Sequence, residues 1–126
     1  MGAMDMTQLR RDGHAFRLAL HYQPQFDSRG ERMVGVEALL RWHDAELGHV
    51  SPARFIPVAE ATGLILPISA WVLETACHQI AAWHRAGTPL GVAVNFSAQQ
   101  FRQDNVAKEV QAALERTGAP AHLLEI

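Results

Sequence analysis

The sequence predicts an α/β fold in which an antiparallel hairpin leads into parallel β/α units, amounting to about half of a β/α barrel. Three observations carry this reading. Two apolar segments flank the turn tetrapeptide Asp27-Ser28-Arg29-Gly30 and are short enough to pair as neighbours. Strand-like runs then alternate with helical patterns through the second half, as parallel β/α units do. The 126 residues hold three or four such strands, where a complete barrel needs some 250 residues.

The elements follow in order. Residues 1–15 are polar and unpatterned, read as a frayed lead-in or short helix, with Met1-Gly2-Ala3-Met4 resembling a cloning remnant. Residues 16–126 form one partial domain. Leu18, Leu20 and Tyr22 alternate with Ala19, His21 and Gln23 in a first strand running towards Phe26, with Gln23-Pro24 readable as an edge-strand stop. A second strand spans about 33–42 and pairs with the first. A loop over 43–50 contains Gly48, and Ser51-Pro52 supplies an N-cap and a first-turn proline for a short helix ending at Gly63.

A longer helix is expected over about 69–86. Leu73, Cys77, Ile80 and His84 form one stripe, Val72, Ala76, Gln79 and Trp83 the next, and Gly87 terminates it. Residues 90–96 suit a strand covered on both faces. Ser97 with Gln100 fits a capping box opening a helix whose stripe is Val106, Val110, Ala113, Leu114 and Thr117, closed by Gly118 and Pro120. Residues 121–126 begin a further strand.

Composition narrows the function classes. The chain is 48% hydrophobic with a net charge of −2, enough for a core but with no basic field. Its eleven basic residues are scattered, which argues against a nucleic-acid polymer as partner. A lone cysteine, Cys77, excludes an intrachain disulfide, fits a reducing compartment, and reads as a core residue. No apolar run approaches the eighteen or so residues of a membrane span, and no signal peptide opens the chain. The expected location is cytoplasmic.

Candidate chemistry centres on Glu37. It lies in the apolar run Val34-Gly35-Val36-Glu37-Ala38-Leu39-Leu40-Arg41-Trp42, where a carboxylate is costly to bury without compensation. Arg41 shares its strand parity, so the two make either an ion pair or a site for metal and phosphate. Asn95 ends the third strand and Glu125 lies on the last. Working residues of β/α barrels project from the C-terminal strand ends, so these three can converge. Two carboxylates and an amide oxygen suit Mg²⁺ or Mn²⁺ better than zinc or copper.

Each has a plainer reading: a salt bridge for Glu37, a turn residue for Asn95, an exposed end residue for Glu125. The seven histidines show no metal spacing; His43 and His49 share one loop without cysteine partners. There is no nucleophile elbow and no glycine-rich phosphate loop. Trp42, Trp71 and Trp83 read as packing residues.

At Glu37-Ala38-Leu39-Leu40-Arg41-Trp42 the chain resembles the EAL family of cyclic di-GMP phosphodiesterases. The flanks extend the likeness: Tyr22-Gln23-Pro24, Val34-Gly35-Val36, Val50-Ser51-Pro52 with Phe55-Ile56-Pro57, Ala59-Glu60 with Thr62-Gly63-Leu64-Ile65, Trp71-Val72-Leu73 and Val94-Asn95-Phe96-Ser97. The resemblance runs from about residue 16 to the end and covers the N-terminal half of the domain. It implies a modified TIM barrel with an antiparallel first strand, and two Mg²⁺ or Mn²⁺ ions that help hydrolyse cyclic di-GMP to linear pGpG.

Carried over by motif, Glu37, Asn95 and Glu125 would be metal ligands. Arg41 would grip a substrate phosphate, and Gln23 and Leu40 would line the dinucleotide pocket. A resting Glu37–Arg41 pairing is expected in the empty state. The family's later acidic and lysine motifs do not occur after Glu125, so the chain alone is expected to be inactive and to self-associate through open barrel edges. The alternative is a degenerate module that binds cyclic di-GMP or a protein partner without catalysis.

Overall fold

The computed structural model describes residues 3–4, 10–11, 14–44, 47–96 and 106–126, with side chains from residue 17 onward. Two short strands, β1 (Ala3–Met4) and β2 (Arg10–Arg11), pair antiparallel with β3 (His14–Phe26). The lead-in is thus extended where it is described, rather than helical. β3 begins earlier than the alternating pattern showed. It also runs through Pro24 rather than stopping there, because no described strand needs an N–H from that position on its outer side.

β3 forms a hairpin with β4 (Met33–Asp44), pairing Gln23 with Glu37 and Phe16 with Asp44. The turn is as expected: Asp27 Oδ1 accepts from the amides of Arg29 and Glu31, and Gly30 takes the left-handed φ of 69°. The 43–50 segment is not a simple loop. β4 extends to Asp44, and β5 (Gly48–Val50) folds back onto it with Trp42 opposite Val50 and His43 opposite His49. Asp44 Oδ1 accepts the Leu47 amide at 3.1 Å, which closes this second hairpin.

Helix α1 (Pro52–Thr62) starts after Ser51 and ends at Gly63 with φ 79°, both as expected, although the Ser51 side chain makes no cap hydrogen bond. Helix α2 spans Ile65–Arg85 and begins four residues earlier than the sequence suggested. Pro67 falls in its first turn, where the missing N–H has no intrahelical partner to lose. Gly87 ends α2 with its amide bonded to the His84 carbonyl and that of Thr88 to Trp83.

Strand β6 is only Val92–Val94, and it runs parallel to β4. The Ser97 capping box lies outside the described residues. Helix α3 (Val106–Thr117) follows, then a 3₁₀ turn (Ala121–Leu123) and β7 (Leu124–Glu125), parallel to β6. Half of the segment expected as the last strand is therefore that turn.

The strand order is β1-β3-β4-β6-β7. β4, β6 and β7 are parallel, with helical crossovers between them, while β3 is antiparallel to β4. This is the barrel portion expected. One sheet face carries Leu18, Leu20, Val36, Ala38, Val92 and Val94, all buried in one cluster with Ile65, Ile68, Val72, Leu73, Ala76, Cys77 and Ile80 of α2. Each fully buried aliphatic side chain contributes about 1.5–3 kcal/mol. The aromatic residues reinforce this layer: Trp42 stacks on Phe55 of α1, and Trp83 of α2 meets Tyr22 edge-on.

The opposite face carries no described layer. Expected coverage of β6 on both faces is therefore not found among the described residues: Val92 and Val94 are buried, Ala93 is half-buried and Asn95 exposed.

Candidate functional site

Register builds the site. Gln23 of β3 pairs with Glu37 of β4, Glu37 with Ala93 of β6, and Ala93 with Glu125 of β7. Residues directly opposite each other share a sheet face, so Gln23, Glu37 and Glu125 stand in one row on the face away from the helices. Between the two glutamates lies only the methyl group of Ala93. With strands about 4.8 Å apart, the carboxylates flank an open position that a larger residue at 93 would fill.

Asn95 lies two residues beyond Ala93 and so projects on the same face. Its Nδ2 donates to Glu37 Oε2 at 2.9 Å. That bond holds one Glu37 oxygen and leaves Asn95 Oδ1 available as an acceptor. Asn95 is thus a partner of Glu37 rather than only a turn residue.

The ion pair with Arg41 is not formed. Four residues along an extended strand separate the two Cα atoms by about 13 Å, and no salt bridge joins them among the described residues. Shared parity placed both on one face; strand rise kept them apart. The resting Glu37–Arg41 arrangement is replaced by the Glu37–Asn95 hydrogen bond.

Arg41 instead borders a cleft of about 290 Å³, together with Leu40, Asn95, Phe96, Ser69 and Ile68. The cleft has a topological cause. β6 pairs with β4 only as far as Ala38, and β5 pairs from Trp42. Among the described residues, 39–41 therefore have no strand neighbour on that edge, and residues of the helix layer join the cleft lining there. Its walls are mostly apolar, with Arg41, Asn95 and the Ser69 hydroxyl as polar points, the usual make-up of a small-molecule site. Gln23, Glu37 and Glu125 are not part of its lining and stand in the row beside it.

Ser69 and Ile68 were not singled out in the sequence, and Phe96 entered only within the Val94-Asn95-Phe96-Ser97 match. The first two come from α2 and the third from the segment after β6, so only the fold brings them together. Among the described residues, no group of three or more His, Cys, Asp or Glu side chains is placed to hold a metal ion. On the open face the register instead aligns Glu37 with Glu125, and Asn95 is bonded to Glu37.

The chain matches the family model described as EAL domain over residues 6–126. It is 44% identical over 121 residues to the bifunctional diguanylate cyclase/cyclic di-GMP phosphodiesterase MucR of Pseudomonas aeruginosa, covering 94% of this chain and 18% of that protein. It is 41% identical over 110 residues to the signaling protein YkoW of Bacillus subtilis, covering 87% and 14%.

Among solved structures, the c-di-GMP complex of the PaMucR phosphodiesterase matches with a TM-score of 0.81 at 42% identity, over 85% of this chain and 44% of that one. The Xanthomonas citri FimX EAL domain in complex with c-di-GMP matches at 0.70 and 26% identity, over 85% and 41%. The chain thus spans less than a fifth of these curated relatives and less than half of these solved chains.

Proposed function

The chain belongs to the EAL domain family, and from that premise we propose that it forms the N-terminal half of a domain that hydrolyses cyclic di-GMP to linear pGpG. The observation that carries this reading is the aligned row Glu37–Ala93–Glu125 with Asn95 bonded to Glu37 at 2.9 Å. The relatives' names and c-di-GMP complexes support the substrate.

Glu37, Glu125 and the Asn95 Oδ1 are the residues that would hold Mg²⁺ or Mn²⁺, two ions in the intact domain. An all-oxygen set with two carboxylates fits these hard cations. When bound, such ions acidify a water and neutralise charge on phosphate oxygens. Asn95 orients the Glu37 carboxylate through its amide N–H. Arg41 presents a permanently charged fork to a phosphate at the cleft. Leu40 and Gln23 line the dinucleotide's path, Leu40 in the cleft wall and Gln23 beside Glu37 in the row.

Three oxygen-bearing side chains are too few to complete two coordination spheres. We therefore propose that these 126 residues alone bind cyclic di-GMP weakly and do not cut it. The second reading is a degenerate module that binds cyclic di-GMP or a protein partner without catalysis. The unpartnered outer edges of the described sheet support self-association. A single buried thiol at Cys77 suits a reducing cytoplasm, and no single described helix is long and apolar enough to cross a membrane.

The experiment is turnover of cyclic di-GMP with Mn²⁺, followed by chromatography of pGpG, on this chain and on a chain extended to a full EAL domain. Product from the extended chain alone supports the proposal. Binding without product from both selects the non-catalytic module, and equal turnover by the short chain overturns its proposed inactivity.

A further inference from the structure

His43 and His49, read from sequence as residues of one loop without metal-ligand spacing, are cross-strand partners. They sit directly opposite each other on β4 and β5, with ring centroids 5.1 Å apart and ring planes at 82°. Both are exposed. Neither has a hydrogen-bond or ion-pair partner among the described residues. The edge-to-face contact between two water-exposed imidazoles contributes little by itself, so packing does not account for the pairing.

The support beneath the pair is firm. Trp42 precedes His43 and stacks on Phe55 at 4.8 Å from the other sheet face, while Asp44 follows it, buried, and ties the turn through the Leu47 amide. The two imidazoles are thus carried on a short hairpin anchored from below. His43 lies six residues beyond Glu37, about 20 Å along the strand, so this pair is separate from the carboxylate row.

We propose that His43 and His49 form a second metal site, a two-imidazole chelate for a divalent first-row transition cation such as Ni²⁺, Cu²⁺ or Zn²⁺, with water filling the remaining positions. Imidazole nitrogen suits these borderline cations and disfavours Mg²⁺, which prefers oxygen and keeps its waters. The site therefore discriminates against the ion proposed for Glu37. Arg17 of β3 pairs with His43 on its other side and is exposed. Its positive charge opposes cation binding without blocking it, since the long side chain can swing into solvent.

The test is calorimetric titration of the 126-residue protein with NiCl₂ in the presence of excess Mg²⁺. One saturable site is expected, weakened at least about tenfold by His43→Ala and by His49→Ala, unchanged in His78→Ala/His84→Ala, and tightened by Arg17→Ala. Circular dichroism of each variant checks that it folds, and Ni²⁺-induced broadening of ring-proton NMR signals should be strongest at residues 43 and 49. Absence of Ni²⁺ binding, displacement by Mg²⁺, or loss of binding in the His78/His84 variant instead would overturn the proposal.

Discussion

The Asn95 amide donates to the Glu37 carboxylate at 2.9 Å although 58 positions separate the two residues in the chain. The parallel pairing of β4 with β6 creates this contact. It sets Glu37 opposite Ala93, two residues short of Asn95, and so brings an amide and a carboxylate together on the open sheet face.

Removal of that amide should release the carboxylate. Asn95→Ala and Glu37→Gln are each expected to weaken Mn²⁺ binding by about 10–100-fold, read by electron paramagnetic resonance of free Mn²⁺. Because both act through one hydrogen-bonded unit, the double variant should be little worse than either single one. Full additivity would show that the two residues act independently.

Gly35 guards the same register. A Cβ at this position would meet the Gly91 carbonyl oxygen at 2.9 Å, the oxygen that also accepts the Val36 amide. Gly35→Ala should therefore push β4 away from the segment entering β6, at a cost of about 1–3 kcal/mol by denaturant unfolding. The neighbouring Glu37–Asn95 contact should loosen with it. Unchanged stability together with wild-type Mn²⁺ affinity would refute this link.

Tyr22 is the chain's one tyrosine, so its titration can be read without ambiguity. Burial pushes its hydroxyl up from 10.0 to about 12, with the nearby Cys77 thiolate adding to the shift, and the hydroxyl has no hydrogen-bond partner among the described residues. The phenolate should appear in ultraviolet absorbance only near pH 12 in the folded protein. The unfolded chain ionises from about pH 10, so stability should be insensitive to Tyr22 below that pH and fall between 10 and 12. A phenol titrating near 10 while far-UV circular dichroism still shows the fold would contradict this burial.

Glu74 of α2 accepts from Arg116 of α3, whose Nε–H is shared between both carboxylate oxygens and whose Nη2 donates at 2.6 Å, and faces His78 one turn on. The Arg116 hydrogen bonds hold its carboxyl below the ordinary 4.5, against a smaller upward push from burial. The stabilisation is present in full above pH 4.5 and is lost as pH falls through the lowered folded value. Because Arg116 is exposed and Glu74 only half-buried, the effect should be small and screened by salt. Glu74→Gln should flatten the acid limb of a melting-temperature profile, whereas an unchanged limb would show that the clamp is not coupled to folding.

Much of this molecule was legible from residues near one another in the chain. The β3–β4 hairpin followed from alternation around Asp27-Ser28-Arg29-Gly30, and the ends of α1, α2 and α3 from Gly63, Gly87 and Gly118, which all take positive φ. Cys77 was read as core and has no exposed surface. The errors lay where a signal was permissive. The start of α2 was placed at about residue 69, four residues late, although Pro67 is tolerated in a first turn, and Pro24 looked like a strand end but sits on an edge that no described strand pairs.

The sequence by itself determined the family, the alternation of strands and helices, and that Glu37 and Arg41 share a face. Local pattern suffices for these, because periodicity and turn chemistry act over a few residues. Only the tertiary structure decided which groups meet. It gave Glu37 to Asn95 rather than Arg41, placed Ala93 between Glu37 and Glu125, and set His43 against His49. Those choices depend on strand rise and inter-strand register, which are set by burying Val36, Ala38, Val92 and Val94 against α2 and are not written in any one segment.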